Sequence, residues 1–185
     1  VNFFKLGDYD VSAIHKEVMD NYSDFDVDTR RQNEVAYHAQ TKSYRLTQGV
    51  LGGAKDIFHT EGIEKTNFYY ARPKCVEFLN EFNKAYGGAI ARVSLVLLPS
   101  GADVTPHIDA GTYYEGKDRF HLVINGSYMV QVGAEVQKFK QGELWFFNNK
   151  QVHSTRNNEQ TERVAMIFDV DGSNWKGVCD VNTAP

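Results

Sequence analysis

His107, Asp109 and the later His153 offer two imidazoles and one carboxylate. Such a set caps one face of an Fe(II) ion and leaves positions open for an oxo-acid and dioxygen. On an extended strand, residues two apart face the same way, so His107 and Asp109 make one chelating edge with Ile108 turned away. An HxD pair alone is common, and a lone strand histidine is more often structural; the later histidine gives the set its weight. A structural zinc site would close all four positions, usually with thiolates. Neither Cys75 nor Cys179 is placed for that.

A second constellation is basic. Arg119 and His121 share one strand face, while Phe120, Leu122 and Ile124 occupy the other. If the polar face lines a barrel interior, these groups need a buried anionic partner. Arg163 opens a segment in which Val164, Met166, Phe168 and Val170 alternate with Arg163, Ala165, Ile167 and Asp169. A guanidinium inside a barrel can grip a carboxylate through two parallel hydrogen bonds. Each arginine taken singly could equally end a solvated strand. Together they suit a dicarboxylate held at both ends beside a metal.

These side chains need a scaffold, and the hydrophobic period supplies it. Short strands are expected at Ala89–Leu98, Val104–Ile108, Arg119–Ile124, Tyr128–Val132, Val136–Phe139, Leu144–Phe147, His153–Arg156 and Arg163–Val170. Asn125-Gly126 reads as a two-residue hairpin turn. The pattern predicts a mostly β chain with flanking helices: a double-stranded β-helix, the cupin-like jelly roll, whose pocket is lined by alternate strand residues. Before it, Cys75, Phe78, Leu79, Phe82 and Tyr86 recur at helical spacing from Pro73 to Tyr86. Asp10 is placed to cap a helix running to about Asn21. Ser23–Glu61 reads as polar and irregular, with a strand at Ser43–Thr47.

The 185 residues suit one domain. Residues 1–88 read as a helical and irregular support region, 89–172 as the catalytic core and 173–185 as a tail. A net charge of −4 gives no global pull towards nucleic acid or anionic membrane, and no apolar run reaches membrane-spanning length. The opening Val-Asn-Phe-Phe-Lys-Leu does not read as a signal peptide. Cys75 reads as a buried free thiol, and the expected compartment is the cytoplasm.

From Arg92 to Val170 the chain resembles the aspartyl/asparaginyl β-hydroxylase family of Fe(II)- and 2-oxoglutarate-dependent dioxygenases. The resemblance rests on Pro99-Ser100-Gly101, Pro106-His107-Ile108-Asp109, Arg119-Phe120-His121-Leu122, Gly142-Glu143-Leu144, His153 and Arg163–Val170. It implies iron held by His107, Asp109 and His153, with Arg163 binding the distal carboxylate of 2-oxoglutarate. It implies Arg119 and His121 near the metal-side carboxylate, with Ser94 assisting Arg163. The implied reaction is hydroxylation by dioxygen of an amino acid, or of an Asp/Asn-type residue in a peptide or protein. Tyr113, Tyr114 and the segment Asn67–Arg72 are candidates for the pocket entrance, with loop packing the plainer reading. Two rivals remain open here: a cupin-like metal-dependent isomerase or hydrolase, and a non-catalytic jelly-roll binding protein.

Other signals are weaker. Asp24, Asp26 and Asp28 open like a calcium loop, but Thr29 stands where glycine is required. His15, His38 and His59 have no ligand-spaced neighbours and read as ordinary residues.

Overall fold

The computed structural model describes residues 1–50, 58, 59 and 62–182. Strand β1 (Phe3–Asp8) leads into helices α1 (Ser12–Met19) and α2 (Arg30–Glu34). Strands β2 (Lys42–Val50) and β3 (Gly62–Lys65) precede helices α3 (Asn67–Ala71) and α4 (Pro73–Tyr86). Then come β4 (Ala89–Leu98), β5 (Asp103–His107), β6 (Lys117–Asn125), β7 (Ser127–Val132), β8 (Glu135–Lys140), β9 (Glu143–Phe147), β10 (His153–Arg156) and β11 (Arg163–Asp171), followed by helix α5 (Trp175–Asn182).

Among the described residues the strands form two sheets. The larger runs β1-β9-β6-β11-β4-β2-β3 and the smaller β5-β10-β7-β8. This is the expected mostly β architecture, a double-stranded β-helix with helices packed on one side. No described helix is long and apolar enough to cross a membrane.

Strand periodicity decides what each face of the large sheet sees. Phe120, Leu122 and Ile124 of β6, with Val164, Met166, Phe168 and Val170 of β11, pack towards α1 and α4. Cys75, Phe78, Leu79 and Phe82 meet them from α4. Pro73 starts that helix, where its missing N–H costs nothing, and Gly87 ends it by donating to the Asn83 carbonyl at 2.8 Å. The alternate set, Arg119, His121 and Val123 on β6 and Arg163 on β11, turns to the space between the sheets. There it meets an aromatic cluster of Tyr128, Phe139, Trp145 and Phe147. Apolar burial on one face thus forces the polar residues of the same strands inwards.

Two local expectations are corrected. Asn125-Gly126 is not a hairpin, because β6 pairs with β9 and β11 while β7 pairs with β8 and β10. It is the corner where the chain changes sheets. Gly126 has φ +73°, and a Cβ there would stand 2.8 Å from the Glu162 carbonyl oxygen. The true two-residue hairpin is Gly133-Ala134, between Val132 and its cross-strand partner Glu135. The segment before residue 88 is also more than helical and irregular support. Besides β2 it supplies β1, paired with β9, and β3, paired with β2. The tail carries α5, whose buried Trp175 donates to Asp118 at 2.8 Å.

Candidate metal centre

His107 ends β5 and faces His153, the first residue of β10, as its cross-strand partner. That register alone sets two imidazoles side by side, with ring centroids 4.2 Å apart. Asp109 lies just past β5, not on the strand as its spacing suggested. Its position comes from Asn149: the Asp109 N–H donates to the Asn149 carbonyl at 3.1 Å, and Asn149 Nδ2 donates back to Asp109 Oδ2 at 2.9 Å. Asp109 Oδ1 stands 3.8 Å from His107 Nε2, and Oδ2 stands 3.9 Å from His153 Nε2. One ligand atom from each residue lies within 4.8 Å of the others.

The rings are oriented from behind. Nδ1 of His107 lies 2.8 Å from the Thr105 carbonyl, and Nδ1 of His153 lies 2.9 Å from that of Gln151. A carbonyl only accepts, so Nδ1 carries the proton on each ring and the Nε2 lone pair faces the cluster. Burial lowers the pKa of both histidines, that of His153 to about 4, so both are neutral at neutral pH. Burial alone would raise the Asp109 pKa. Arg119, His153 and the Asn149 amide outweigh it, and the carboxyl stays below its usual range. The donor set is therefore ready-deprotonated, as a divalent metal requires.

Arg119 holds Asp109 from the side. Its Nη1 bonds Asp109 Oδ2, while Nε and Nη2 grip Asp169 at 2.8 and 3.0 Å. Tyr113 adds its hydroxyl to Asp169 at 2.9 Å. The anionic partners of Arg119 are thus carboxylates of the chain itself.

Arg163 differs. It is 1% exposed, its guanidinium lies over the Tyr128 ring at 4.1 Å, and Nη1 donates to the Val96 carbonyl at 3.2 Å. Nε has no partner, and among the described residues no carboxylate pairs with the group. A buried guanidinium without a counter-ion is costly unless a ligand supplies the charge. His121, on the same inner face, meets the Tyr128 hydroxyl through Nδ1 at 2.6 Å. Burial and the nearby Arg163 hold its pKa well below the ordinary histidine value.

Ser94 makes no hydrogen bond to Arg163 among the described residues, and it stands two positions along β4 from Val96, whose carbonyl accepts from Arg163 Nη1. On β4 it pairs with Ile167, whereas Arg163 pairs with Leu98. Ser94 instead lines a cavity of about 70 Å³ beside the metal cluster, together with Asp109, Arg119, Arg31, Arg45 and Arg92. Tyr114 also lines this cavity, whereas Tyr113 is buried behind it. Arg72 is remote in role: it is 3% exposed and ion-paired to Asp24. The supposed calcium acids are likewise committed, Asp26 to Lys42 and Asp28 to Arg30.

Sequence reasoning passed over Tyr37 and His38. The Tyr37 ring stacks on His107 at 3.9 Å, and His38 sits edge-on to it at 5.3 Å. Their short 3₁₀ turn gives no periodic signal, and only the fold places them at the cluster.

The structure thus defines a double-stranded β-helix with two histidines and a carboxylate, a set that could hold a metal ion, clustered at the end of its smaller sheet. The chain belongs to the aspartyl/asparaginyl β-hydroxylase family, whose sequence profile matches residues 10–172. Among solved structures, an oxidoreductase of the 2OG-Fe(II) oxygenase family from Burkholderia pseudomallei shares the fold. It aligns with a TM-score of 0.61 at 12% identity, covering 94% of this chain and 85% of that one. A predicted oxalate decarboxylase from Thermotoga maritima aligns with a TM-score of 0.40 at 13% identity, covering 70% and 79%. No curated protein matches the sequence.

Proposed function

We propose that the protein is an Fe(II)- and 2-oxoglutarate-dependent dioxygenase that hydroxylates an amino acid or an Asp/Asn-type residue of a peptide or protein. The observation that carries this reading is Arg163, a buried guanidinium with no counter-ion among the described residues, in the barrel that bears His107, Asp109 and His153 at its mouth. In this reading the three side chains hold iron, and Arg163 receives the distal carboxylate of 2-oxoglutarate. With both bound, the site can reduce dioxygen, release succinate and carbon dioxide, and convert a substrate C–H into C–OH. The chain's own residues orient these partners. Arg119 fixes the carboxylate plane of Asp109 through its bidentate hold on Asp169. His121 and Tyr128, bonded to each other beside Phe139 and Phe147, would form one polar wall of the co-substrate space.

The substrate side is basic. Arg31 reaches the cavity beside Asp109, and its bonded side-chain partner is His38, Nη2 to Nε2 at 3.0 Å. Burial and the Arg31 charge push the His38 pKa far down, so this partner is neutral. A cation facing a neutral ring, near Arg45 and Arg92, supports a substrate that brings a carboxylate. Arg31→Ala should raise the substrate KM by about tenfold or more while leaving the 2-oxoglutarate requirement unchanged. Steady-state titration of each ligand in turn measures this.

The reading is tested by screening free amino acids and short Asp/Asn peptides. The expected result is succinate formed in step with hydroxylated product, only with Fe(II), 2-oxoglutarate and air together. Turnover without dioxygen, or without the keto-acid, would contradict it.

A further inference from the structure

Strand register sets one row of residues across the large sheet. Trp145 on β9 pairs with His121, His121 with Ile167, Ile167 with Ser94, and Ser94 with Arg45 on β2. Tyr44 and Leu46, on either side of Arg45, are buried in the helix-side core, so Arg45 turns to the opposite face, between the sheets. It lines the same cavity as Ser94, Ile167 and Arg31. Among the described residues its one ion pair is with Asp28 at 3.6 Å, beyond hydrogen-bonding distance. Asp28 is already taken by Arg30, which donates to it from the backbone N–H at 3.1 Å, from Nε at 2.9 Å and from Nη2 at 2.7 Å.

Arg31 enters that cavity too, bonded to the neutral His38 ring. The two carboxylates in the lining, Asp109 and Asp169, are both held by Arg119, and neither offsets Arg31 or Arg45. Burial, then the charges of Arg119 and Arg45, brings the Arg31 pKa down to about 10. Burial lowers that of Arg45 against the pull of Asp28. Both guanidiniums stay charged at neutral pH. Two part-buried cations on one small cavity call for two negative charges, because one carboxylate would leave the second guanidinium uncompensated. We propose that Arg31 and Arg45 each bind one carboxylate of a free acidic amino acid, which makes Arg45 a specificity-determining residue. This rests on the oxygenase reading above and narrows its substrate. An aspartyl or glutamyl residue inside a peptide brings one carboxylate, whereas the free amino acid brings two on one compact body.

The test is calorimetric titration, without oxygen, of iron-loaded protein saturated with 2-oxoglutarate. L-Aspartate is compared with L-asparagine, its side-chain amide, and L-isoasparagine, its α-amide; L-glutamate is compared with L-glutamine and L-isoglutamine. One of the two acids should bind at least about tenfold more tightly than either of its amides, the effect of one charge-assisted pair. Arg45→Gln should erase the advantage over one amide, and Arg31→Ala the advantage over the other. Arg45→Lys should keep most of the wild-type preference, and unchanged 2-oxoglutarate affinity in every variant reports an intact barrel. Wild-type protein that binds 2-oxoglutarate but no free acid, or binds an amide as tightly as the acid, would overturn this assignment alone. So would a preference that survives Arg45→Gln, or the same advantage lost in both variants. If the wild-type protein does not bind 2-oxoglutarate, the oxygenase reading fails and takes this assignment with it.

Discussion

Replacing Arg163 by methionine should raise the melting temperature of the ligand-free protein while all but removing its affinity for 2-oxoglutarate. The two effects have one cause. Among the described residues the guanidinium is buried against Tyr128 with one hydrogen bond, to the Val96 carbonyl, and no carboxylate. Exchanging a poorly compensated buried charge for an apolar side chain of similar length typically stabilises by about 1–4 kcal/mol. The bound keto-acid reverses the balance, because its carboxylate would lose its only cationic partner deep in the barrel. Removing one member of such a buried pair costs about 2–5 kcal/mol, a loss of about thirty- to several-thousand-fold in affinity. Thermal melts and a binding isotherm on the same preparations check both halves. A variant less stable than wild type, with unchanged keto-acid binding, would show Arg163 to be a packing residue.

Asp109→Ala and His153→Ala should each abolish stable metal binding, yet differ in what they do to the metal-free protein. Each removes one of three ligands, and affinity should fall by at least about a hundredfold, beyond the usual cost of disturbing a ligand's support. His153→Ala leaves the Arg119 network intact, since the ring's own backing is the Gln151 carbonyl. Asp109→Ala also strips Arg119 of one of its two carboxylates and Asn149 of the acceptor for its amide. Leaving those donors unmet in a buried site adds a penalty of about 1–3 kcal/mol. Metal titration should therefore rank the variants together, whereas chemical denaturation without metal should separate them, Asp109→Ala being the less stable. Equal stability would mean that Asp169 alone satisfies Arg119.

How much of this was legible in the sequence follows from the range of each signal. The alternation of Phe120, Leu122 and Ile124 with Arg119 and His121 is local, and the structure keeps it residue for residue. The helical recurrence from Cys75 to Phe82 is equally local. Partner choice is not. Asn125-Gly126 has the residues of a hairpin turn, but whether the next strand folds back or changes sheets depends on β9 and β11. Phe3–Asp8 carries little alternation of its own and becomes a strand by pairing with the fixed edge at β9.

The site divides in the same way. His107, Asp109 and His153 were readable as candidate ligands because their chemistry is in the side chains, and the structure brings the three together. Asn149, which sets Asp109 in place, carries no ligand chemistry that would mark it in the sequence. Tyr128 was not legible as a neighbour of Arg163, since it looks like an ordinary strand position until the two sheets close on the guanidinium.

In the proposed site His107, Asp109 and His153 would hold iron, a keto-acid would chelate it, and the far carboxylate of that keto-acid would reach Arg163. Anaerobic titration of the folded protein with Fe(II) and then 2-oxoglutarate tests it most directly. The expected result is a weak visible charge-transfer band that saturates at one keto-acid per iron, disappears in His153→Ala and needs far more 2-oxoglutarate in Arg163→Met. A folded, iron-loaded protein that gives no band, and no succinate once air is admitted, would contradict it.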